Sequence, residues 1–185
     1  MLKEQTLLLN VIEIITSKYN EILEENKFLV KKLKEKALYD PLTHLLNRDE
    51  FFNRLKTKRN FCLLFIDLDN FKEANDTYGH EIGDKILVEF ANLLKNFFKG
   101  KDLIGRIGGD EFIVAVMDCN KEKVKSILKN LLLEIKNHFK SYNITASIGA
   151  GFYPDDNKNR EAVIKIADER MYKIKKSTKN GFCIE

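Results

Sequence analysis

Two short stretches of the sequence place carboxylates where a folded domain seldom needs them. In "RIGGDEF" Asp110 and Glu111 follow two glycines, and in "FIDLDN" Asp67 and Asp69 end an apolar run. Neighbouring carboxylates repel unless a cation lies between them, and they are scarce in buried strands unless they are paired or bind metal. If the two stretches meet in the fold, their oxygens suit Mg²⁺. Such a site has the parts needed for phosphoryl transfer from a nucleoside triphosphate.

The residues alone also allow other interpretations of both stretches. Gly108 and Gly109 suit a tight hairpin turn that needs positive φ, and such a turn can simply be solvated. The carboxylates can equally belong to a structural network of salt bridges. The arrangement of strands and helices decides whether the two stretches are able to meet.

The pattern of apolar residues predicts the strands that hold these carboxylates. Residues 61–67 ("FCLLFID") are a continuous apolar run, which predicts a buried central strand. Residues 102–107 and 111–116 are predicted to form a hairpin whose turn carries the two glycines, and residues 144–152 a further strand. Strand side chains alternate, so the two aspartates of the central strand share one side. We expect the hairpin turn to lie beside the end of that strand.

The remaining elements alternate with these strands. Asn47, with Glu50 three residues later, predicts a helix start, and residues 180–185 predict a short edge strand. The segment between the central strand and the next helix is predicted to be a polar loop. The antiparallel hairpin indicates an α+β fold, with a central, mainly antiparallel sheet and flanking helices. Helical periodicity covers residues 84–98, 123–139 and 160–176.

The first part of the chain predicts one long helix over residues 5–36, which contain no Gly or Pro. Its apolar residues recur at spacings of four and three, and Asn26 falls in the same stripe, as in a two-stranded coiled coil. A single helix that lies on its own domain is the other interpretation. We therefore predict a dimerisation or signalling segment at residues 1–37 and a globular domain at residues 38–185. The stripe consists of Leu8, Ile12, Ile15, Tyr19, Ile22, Leu29 and Leu33.

Composition narrows the class of protein. The chain has 185 residues, of which 44% are hydrophobic and 32% charged, which suits one domain with a real core and a charged surface. A net charge of +4 is too small an excess to indicate a nucleic-acid partner. No apolar stretch reaches the roughly 20 residues of a membrane span, so we expect no membrane contact. The three scattered cysteines suit reduced thiols in the cytoplasm.

Five motifs of the sequence resemble one family. They are "DPLTHLLNR", "DLDNFKEANDTYGHEIGD", "RIGGDEF", "SIGAG" and "IADERMYKIKK", in the order and at the spacing of the GGDEF family of bacterial diguanylate cyclases. The resemblance covers residues 38–182. It implies a palm-like nucleotidyl cyclase fold and the condensation of two GTP molecules into cyclic di-GMP and two pyrophosphates.

The resemblance implies a metal site and catalytic groups. Asp67 and Asp110 would bind Mg²⁺ or Mn²⁺ through carboxylates and Leu68 through its carbonyl oxygen, with Glu111 in reach of a second ion. Two ions per site are implied. Asp110 and Glu111 are also implied in catalysis, and Lys72 in neutralising phosphate charge.

The resemblance also implies a GTP site. Asn75 and Asp84 would bind guanine, because a carboxylate accepts the two donors of the guanine edge and meets the N1 acceptor of adenine unfavourably. The two glycines would let the nucleotide lie close to the turn. The implied GTP site is Phe71, Asn75, His80, Asp84, Gly108, Gly109, Lys175 and Lys179.

The sequence departs from the family pattern at two functional places. Thr178 and Lys179 stand where Gly and Arg are usual beside the terminal phosphates, and Lys lacks the planar fork of Arg, which predicts weaker triphosphate binding. The inhibitory product site, usually Arg-x-x-Asp, is degenerate here because Lys99 replaces the Arg while Asp102 is kept. We therefore predict weak or absent product inhibition. His44 and Leu46 also replace a usual Gly and Pro, as turn variation.

The most direct interpretation is a cytoplasmic bacterial diguanylate cyclase that works as a C2 homodimer. Each GTP would then be attacked by the 3′-hydroxyl of the other. The alternative is a catalytically silent GTP-binding module that signals to a partner. A receptor for cyclic di-GMP, and a cyclase with an adenine product, are disfavoured by Lys99 and Asp84 respectively.

Overall fold

The computed structural model describes the backbone of residues 2–185 and the side-chain surroundings of residues 5, 7–34 and 37–185. Met1, the first residue of the predicted segment 1–37, lies outside the described residues. The chain divides into two compact units, residues up to Leu38 and Tyr39–Glu185. The first unit is a single helix, α1 (Leu2–Leu38). The prediction of a long N-terminal helix is confirmed, with a few more residues at each end.

Helix α1, taken by itself, carries a row of exposed apolar side chains. All seven apolar members of the predicted stripe are exposed, from 49% for Ile22 and Leu29 to 66% for Leu33. An exposed apolar seam at heptad spacing is what a partner helix covers in a coiled coil. The coiled coil itself stays a prediction.

The second unit is a five-stranded sheet with helices on both faces. Its strands are β1 (Phe61–Asp69), β2 (Leu103–Gly108), β3 (Glu111–Met117), β4 (Thr145–Tyr153) and β5 (Gly181–Cys183). They lie in the order β2-β3-β1-β4-β5, antiparallel except for the β4–β5 pair. The predicted α+β fold with a mainly antiparallel sheet is confirmed. The helices are α2 (Arg48–Leu55), α3 (Phe71–Tyr78), α4 (His80–Phe97), α5 (Lys121–His138) and α6 (Arg160–Lys176), with a 3₁₀ turn at Lys140–Tyr142.

Alternation along β1 sorts its side chains between two cores. Cys62, Leu64 and Ile66 pack into the larger core, together with α4 and α5. Phe61, Leu63 and Phe65 pack into the smaller core, with α2 and α6. Asp67 and Asp69 continue the second series and therefore face α6.

Helix α3 contradicts the predicted polar loop between β1 and α4. The segment contains Asn75, Asp76 and Thr77, which are weak helix formers, so local propensity does not favour a helix there. Phe71 and Ala74 are buried against the larger core. Tertiary packing of this face therefore stabilises α3 against its sequence preference.

Two glycines of β4 let helix α6 approach the sheet closely. A Cβ at Gly149 would lie 2.0 Å from the carbonyl oxygen of Ala167, and one at Gly151 would lie 2.7 Å from that of Val163. The approach brings the end of α6 over β1, which positions the site described below.

Candidate functional site

Asp67 and Asp69, at the end of β1, are both only 1% exposed, but their surroundings differ. Asp69 accepts hydrogen bonds from the hydroxyls of Thr145 and Ser147, each at 2.7 Å, and from the backbone N–H of Asn180 at 2.8 Å. These three donors satisfy Asp69 and tie the chain before β5 to β1. Asp69 therefore has a structural role.

Asp67 is incompletely satisfied. Its Oδ2 accepts a hydrogen bond of 2.6 Å from Nζ of Lys175 on α6, whereas its Oδ1 is buried and has no partner. Burial raises the pKa of Asp67 to about 6; the ion pair with Lys175 opposes the shift, and the nearby charges of Asp110 and Glu111 add to it. Burial alone would lower the pKa of Lys175, but the hydrogen bond to Asp67 and the negative charges of Asp67, Asp110 and Glu111 together raise it.

The turn at residues 108–111, here the GGDE turn, lies beside this carboxylate. Asp67 is the register partner of Glu111 across β1 and β3, and the N–H of Leu68 donates to the carbonyl of Asp110 at 3.2 Å. The prediction that the turn meets the end of the central strand is confirmed. Among the described residues, however, no three His, Cys, Asp or Glu side chains gather as a group able to hold a metal ion.

The residues at this point nevertheless fit a divalent cation. The buried Oδ1 of Asp67 is an acceptor without a donor, and burial alone makes its negative charge costly. Lys175 already supplies positive charge to the other oxygen. Asp110 and Glu111, at the start of the neighbouring strand β3, are half-buried and offer further oxygens. Mg²⁺ commonly takes one or two carboxylates and leaves its other positions to water and phosphate, so the donor set is suitable.

The glycines of the GGDE turn leave open space above it. A Cβ built on Gly108 or Gly109 would meet no atom within 4 Å, and Gly109 has φ +53°, a left-handed conformation that favours glycine. A substrate can therefore lie against the bare backbone of the turn.

Arg106 holds the GGDE turn from below. Its Nε and Nη2 donate to the carbonyl of Gly109 at 3.0 and 2.7 Å, and its Nη1 donates to Oδ1 of Asp40 at 3.1 Å. The same Oδ1 accepts from the N–H and hydroxyl of Thr43. Burial would raise the pKa of Asp40, but the hydrogen bonds from Thr43 and Arg106 hold it below its usual value.

The residues implied in guanine binding lie on α3 and α4. Asn75 has a buried Oδ1 without a partner, and a Cβ at Gly83 would lie 1.8 Å from that oxygen. Gly83 therefore keeps the space in which the Asn75 side chain rests. His80 and Asp84 are exposed on α4. A buried amide oxygen without a donor suits a ligand that brings one.

The other implied residues are arranged as follows. Phe71 is buried at the start of α3 and Lys72 is exposed beside it. Lys179 donates to Oδ1 of Asn70 at 2.9 Å. At the degenerate product site Lys99 is exposed, and Oδ1 of Asp102 accepts the N–H of Met117 at 2.9 Å.

Sequence reasoning missed Arg106, Asp40 and Gly83. Each lies within one of the five motifs, but their contacts join segments that are distant along the chain or in separate helices. The only local signal was the position of Arg106, just before the two glycines. An arginine at this position has several N–H donors, which can hold a turn in place by hydrogen bonding to its carbonyl oxygens.

The central strand of this α+β sheet thus ends in a buried carboxylate beside an acidic glycine turn. The family profile described as "Diguanylate cyclase, GGDEF domain" matches residues 37–181. The chain belongs to this GGDEF domain family.

Individual relatives agree with the family. The chain is similar to the bifunctional diguanylate cyclase/cyclic di-GMP phosphodiesterase MucR of Pseudomonas aeruginosa, with 34% identity over 83% of this chain and 24% of MucR. It is similar to the probable diguanylate cyclase DgcE of Escherichia coli, with 34% identity over 85% of this chain and 15% of DgcE. The chain thus spans about a quarter or less of these relatives.

A solved structure shares the fold. The coiled coil and GGDEF domain of DgcB from Caulobacter crescentus, in complex with c-di-GMP, superpose with a TM-score of 0.77 and 24% identity, covering 91% of this chain and 96% of that one. Separately, no helix within residues 2–185 is both long and apolar enough to cross a membrane.

The buried, incompletely paired charge of Asp67 should lower the stability of the folded chain at high pH. Without divalent cation, Asp67→Asn should raise the free energy of unfolding at pH 8 by about 1–2 kcal/mol, because it removes a buried charge with one unpaired oxygen. Since the folded pKa of about 6 exceeds the ordinary 3.8, the wild-type chain gains stability as pH falls through 6 towards 4, and the variant lacks this gain. Urea unfolding at pH 8 and pH 5 measures both.

The matched control is Asp69→Asn, which alters an equally buried but satisfied carboxylate. It should lower the free energy of unfolding by about 1–3 kcal/mol, because an amide cannot accept from all three donors. If both variants destabilise the chain equally at pH 8, the difference between the two aspartates is refuted.

Proposed function

We propose that the chain is a diguanylate cyclase that condenses two GTP molecules into cyclic di-GMP and two pyrophosphates. The observation that carries the proposal is the buried Asp67 carboxylate, with one oxygen unpaired, beside the GGDE turn. Membership of the GGDEF family gives the substrate class. Mg²⁺ or Mn²⁺, two ions when fully loaded, would polarise the α-phosphate and lower the pKa of the attacking 3′-hydroxyl.

The protein groups then have separate roles. Asp67, the carbonyl of Leu68, Asp110 and Glu111 would hold the metal ions. At the guanine edge Asn75 would accept and donate hydrogen bonds and Asp84 would accept them, with His80 and Phe71 beside the nucleotide. The open GGDE turn would let the substrate backbone approach Gly108 and Gly109. These assignments rest on the matching motifs, and the unpaired oxygens of Asp67 and Asn75 support them.

The positive groups would bind phosphate. Lys175 is hydrogen-bonded to Asp67, and Lys179 is hydrogen-bonded to Asn70. Triphosphate binding would therefore move both ammonium groups from these protein oxygens to phosphate oxygens. Lys72 is exposed and would neutralise charge that develops in the transition state. Because the two bonded lysines must first leave their partners, we expect modest triphosphate affinity. We place the reaction in the bacterial cytoplasm, which suits the free cysteines of the chain.

The direct test is product analysis. The purified chain is incubated with GTP and Mg²⁺, and the nucleotides are separated and identified by mass. Asp110→Ala is run in parallel, with Asp168→Ala, an exposed residue of α6, as the matched control. We expect cyclic di-GMP from the wild type and from Asp168→Ala, and none from Asp110→Ala. Product from Asp110→Ala at the wild-type rate would refute the metal assignment.

One observation favours the silent GTP-binding module as a second candidate. Both lysines expected at the terminal phosphates are bonded to the protein, and the usual Gly and Arg are replaced by Thr178 and Lys179. Tight, Mg²⁺-dependent GTP binding without product, even when dimerisation is forced, would support this candidate and exclude the cyclase.

The cyclase proposal needs two domains that face each other. A C2 dimer places each 3′-hydroxyl opposite the other α-phosphate, and the exposed stripe of α1 would raise the effective concentration of one domain for the other. Deleting residues 1–36 should therefore lower turnover at nanomolar protein by about 10²-fold, with recovery at high concentration. Unchanged turnover at low concentration would contradict the role of α1.

A point variant makes the same test without shortening the chain. Ile15→Asp places a charge in the stripe and should abolish dimers in sedimentation experiments. Ile14→Asp is the matched control, because Ile14 is as exposed (69% against 62%) but lies outside the stripe. Equal effects of the two substitutions would mean that the heptad seam is not the dimer contact.

A further inference from the structure

Two cysteines lie together at the end of the sheet opposite to Asp67. Cys62 is the second residue of β1, is fully buried, and lies opposite Val116 in the β1–β3 ladder. Cys119 follows β3 by two residues, in the link to α5, and is half-buried. Neither thiol has a role in the proposed reaction.

The side chain of Cys119 folds back towards Cys62. Its Sγ lies 3.3 Å from the carbonyl oxygen of Val116, the residue opposite Cys62 in the ladder. Both cysteines pack into the larger core, Cys62 inside it and Cys119 against its edge. The Cys119 side chain therefore lies beside the Cys62–Val116 pair, on the face of the sheet that Cys62 occupies.

The environments of the two thiols are unequal. The hydrogen bond from Cys62 lowers the pKa of the Cys119 thiol, against the effect of burial and with help from the charge of Lys123. Burial raises the pKa of the Cys62 thiol well above its ordinary value. Thiolates are the reactive form of cysteine, so Cys119 is the nucleophile of the pair and Cys62 is its protonated neighbour.

We propose that Cys62 and Cys119 form an oxidisable dithiol site that reacts with peroxide and closes to a disulfide. The Cys119 thiolate attacks one oxygen of hydrogen peroxide, the O–O bond breaks, and Cys119 becomes a sulfenic acid while the released hydroxide takes up a proton as water. The sulfur of Cys62 then attacks the Cys119 sulfur, the S–O bond breaks, and the Cys62 proton leaves with the hydroxyl as water. In sum, two thiols and one hydrogen peroxide give one disulfide and two waters.

The fold lets one of the two cysteines move to form the disulfide. A disulfide requires the sulfurs to approach to about 2.05 Å. Cys62 is held in the central strand, but Cys119 lies outside the ladder, between β3 and α5. Cys119 is therefore the partner that moves. Disulfides in the cytoplasm are usually transient and redox-sensing, which is the behaviour expected of a half-buried pair.

The third cysteine supplies an internal control. Cys183 is half-buried in β5, which β4 separates from β1, and its Sγ lies 2.9 Å from the carbonyl oxygen of Glu185. Cys183 is thus half-buried like Cys119, but it lies in a strand that is not adjacent to β1. A difference in their oxidation therefore reports the pairing with Cys62.

The test uses the full chain without nucleotide, so its outcome is independent of the cyclase proposal. The protein is treated with hydrogen peroxide, free thiols are blocked with N-ethylmaleimide, and the unreduced digest is analysed by mass spectrometry. We expect a cross-link between the peptides of Cys62 and Cys119, lighter by two hydrogens and removed by dithiothreitol. The cross-link should persist in Cys183→Ser and be lost in Cys119→Ser.

A trapping experiment identifies the order of attack. In Cys62→Ala, dimedone should label Cys119 as a stable sulfenic acid, because the resolving thiol is gone. If that variant fails to fold, the wild-type digest still decides. Oxidation of Cys119 to sulfinic or sulfonic acid without a cross-link would overturn the proposal, as would Cys183 reacting as fast as Cys119.

Discussion

Gly83→Ala is expected to remove guanine recognition while leaving the fold stable. A Cβ at this position would lie 1.8 Å from Oδ1 and 2.8 Å from Cγ of Asn75, so the amide must rotate away from its place. The displaced atoms belong to the end of a side chain, which moves at little cost, and Ala is about 1 kcal/mol better than Gly inside a helix. We therefore expect unchanged or slightly higher thermal stability.

The loss should appear in nucleotide binding. A hydrogen bond between a buried amide and the base is worth about 1.5–3 kcal/mol, so the affinity for GTP should fall about 10- to 100-fold. Discrimination against ATP should fall with it, because selectivity of this kind depends on buried hydrogen-bond partners. Isothermal titration with GTP and ATP, in Ca²⁺ to prevent turnover, measures both quantities.

Two further variants separate this mechanism from general damage. In an Asn75→Ala background the added Cβ meets no amide, so Gly83→Ala should cause almost no further loss, as non-additivity of contacting residues requires. Gly181→Ala is the matched glycine control, because its Cβ would meet nothing closer than 3.5 Å. Full GTP selectivity in Gly83→Ala would show that Asn75 is not part of the base site.

Arg106→Ala is expected to have the second large effect, on both stability and turnover. The guanidinium side chain is only 11% exposed and joins the carbonyl of Gly109 to the carboxylate of Asp40, which is 18% exposed. Its removal leaves the mostly buried carboxylate of Asp40 with the hydrogen bonds of Thr43 but no cation, and takes both guanidinium donors from the carbonyl of Gly109. Breaking such a pair costs about 3–5 kcal/mol when it is fully buried, so we expect a loss of about 2–4 kcal/mol here.

Turnover should fall further than stability requires. The hydrogen bonds from Arg106 to Gly109 hold the GGDE turn in place. Misplacement of catalytic groups by about 1 Å costs on the order of 10²-fold in rate. Measurements at a temperature where the variant is fully folded isolate this effect. Arg106→Lys is the informative control: it keeps the charge but lacks the planar guanidinium whose separate nitrogens reach Gly109 and Asp40 together, so most of the rate loss should remain. Wild-type turnover in Arg106→Ala would refute the positioning role.

The ion pair between Asp40 and Arg106 should also make the stability of the chain depend on pH. Its pKa is lowered in the folded chain, so the stability that it contributes is complete above the ordinary value of 3.8 and is lost as pH falls through the folded pKa. Asp40→Asn should be less stable than the wild type at neutral pH, and the difference should shrink only at strongly acidic pH. Urea unfolding from pH 7 to pH 3 measures the slope.

Local patterns in the sequence were sufficient for most of the fold. The apolar run of β1, the glycine hairpin and the amphipathic α4, α5 and α6 each carry their own periodicity, so a short window defines each of them. Helix α3 is the exception, because Asn75, Asp76 and Thr77 do not favour a helix and the burial of Phe71 and Ala74 does. The motifs around Asp67 and the GGDE turn were visible because their chemistry is unusual within a few residues.

The partners of those residues were not visible in any short window. Lys175 reaches Asp67 across 108 positions of sequence, and Arg106 reaches Asp40 across 66. The contact of Asn75 with Gly83 and the position of Cys119 beside the Cys62–Val116 pair likewise arise from packing between elements. The sequence alone determined the family, the main strands and helices, and the acids of the site, because these follow from local periodicity and residue type. The tertiary structure alone decided which groups are buried, unpaired or clamped, because burial and hydrogen bonding depend on segments that meet only when the chain is folded.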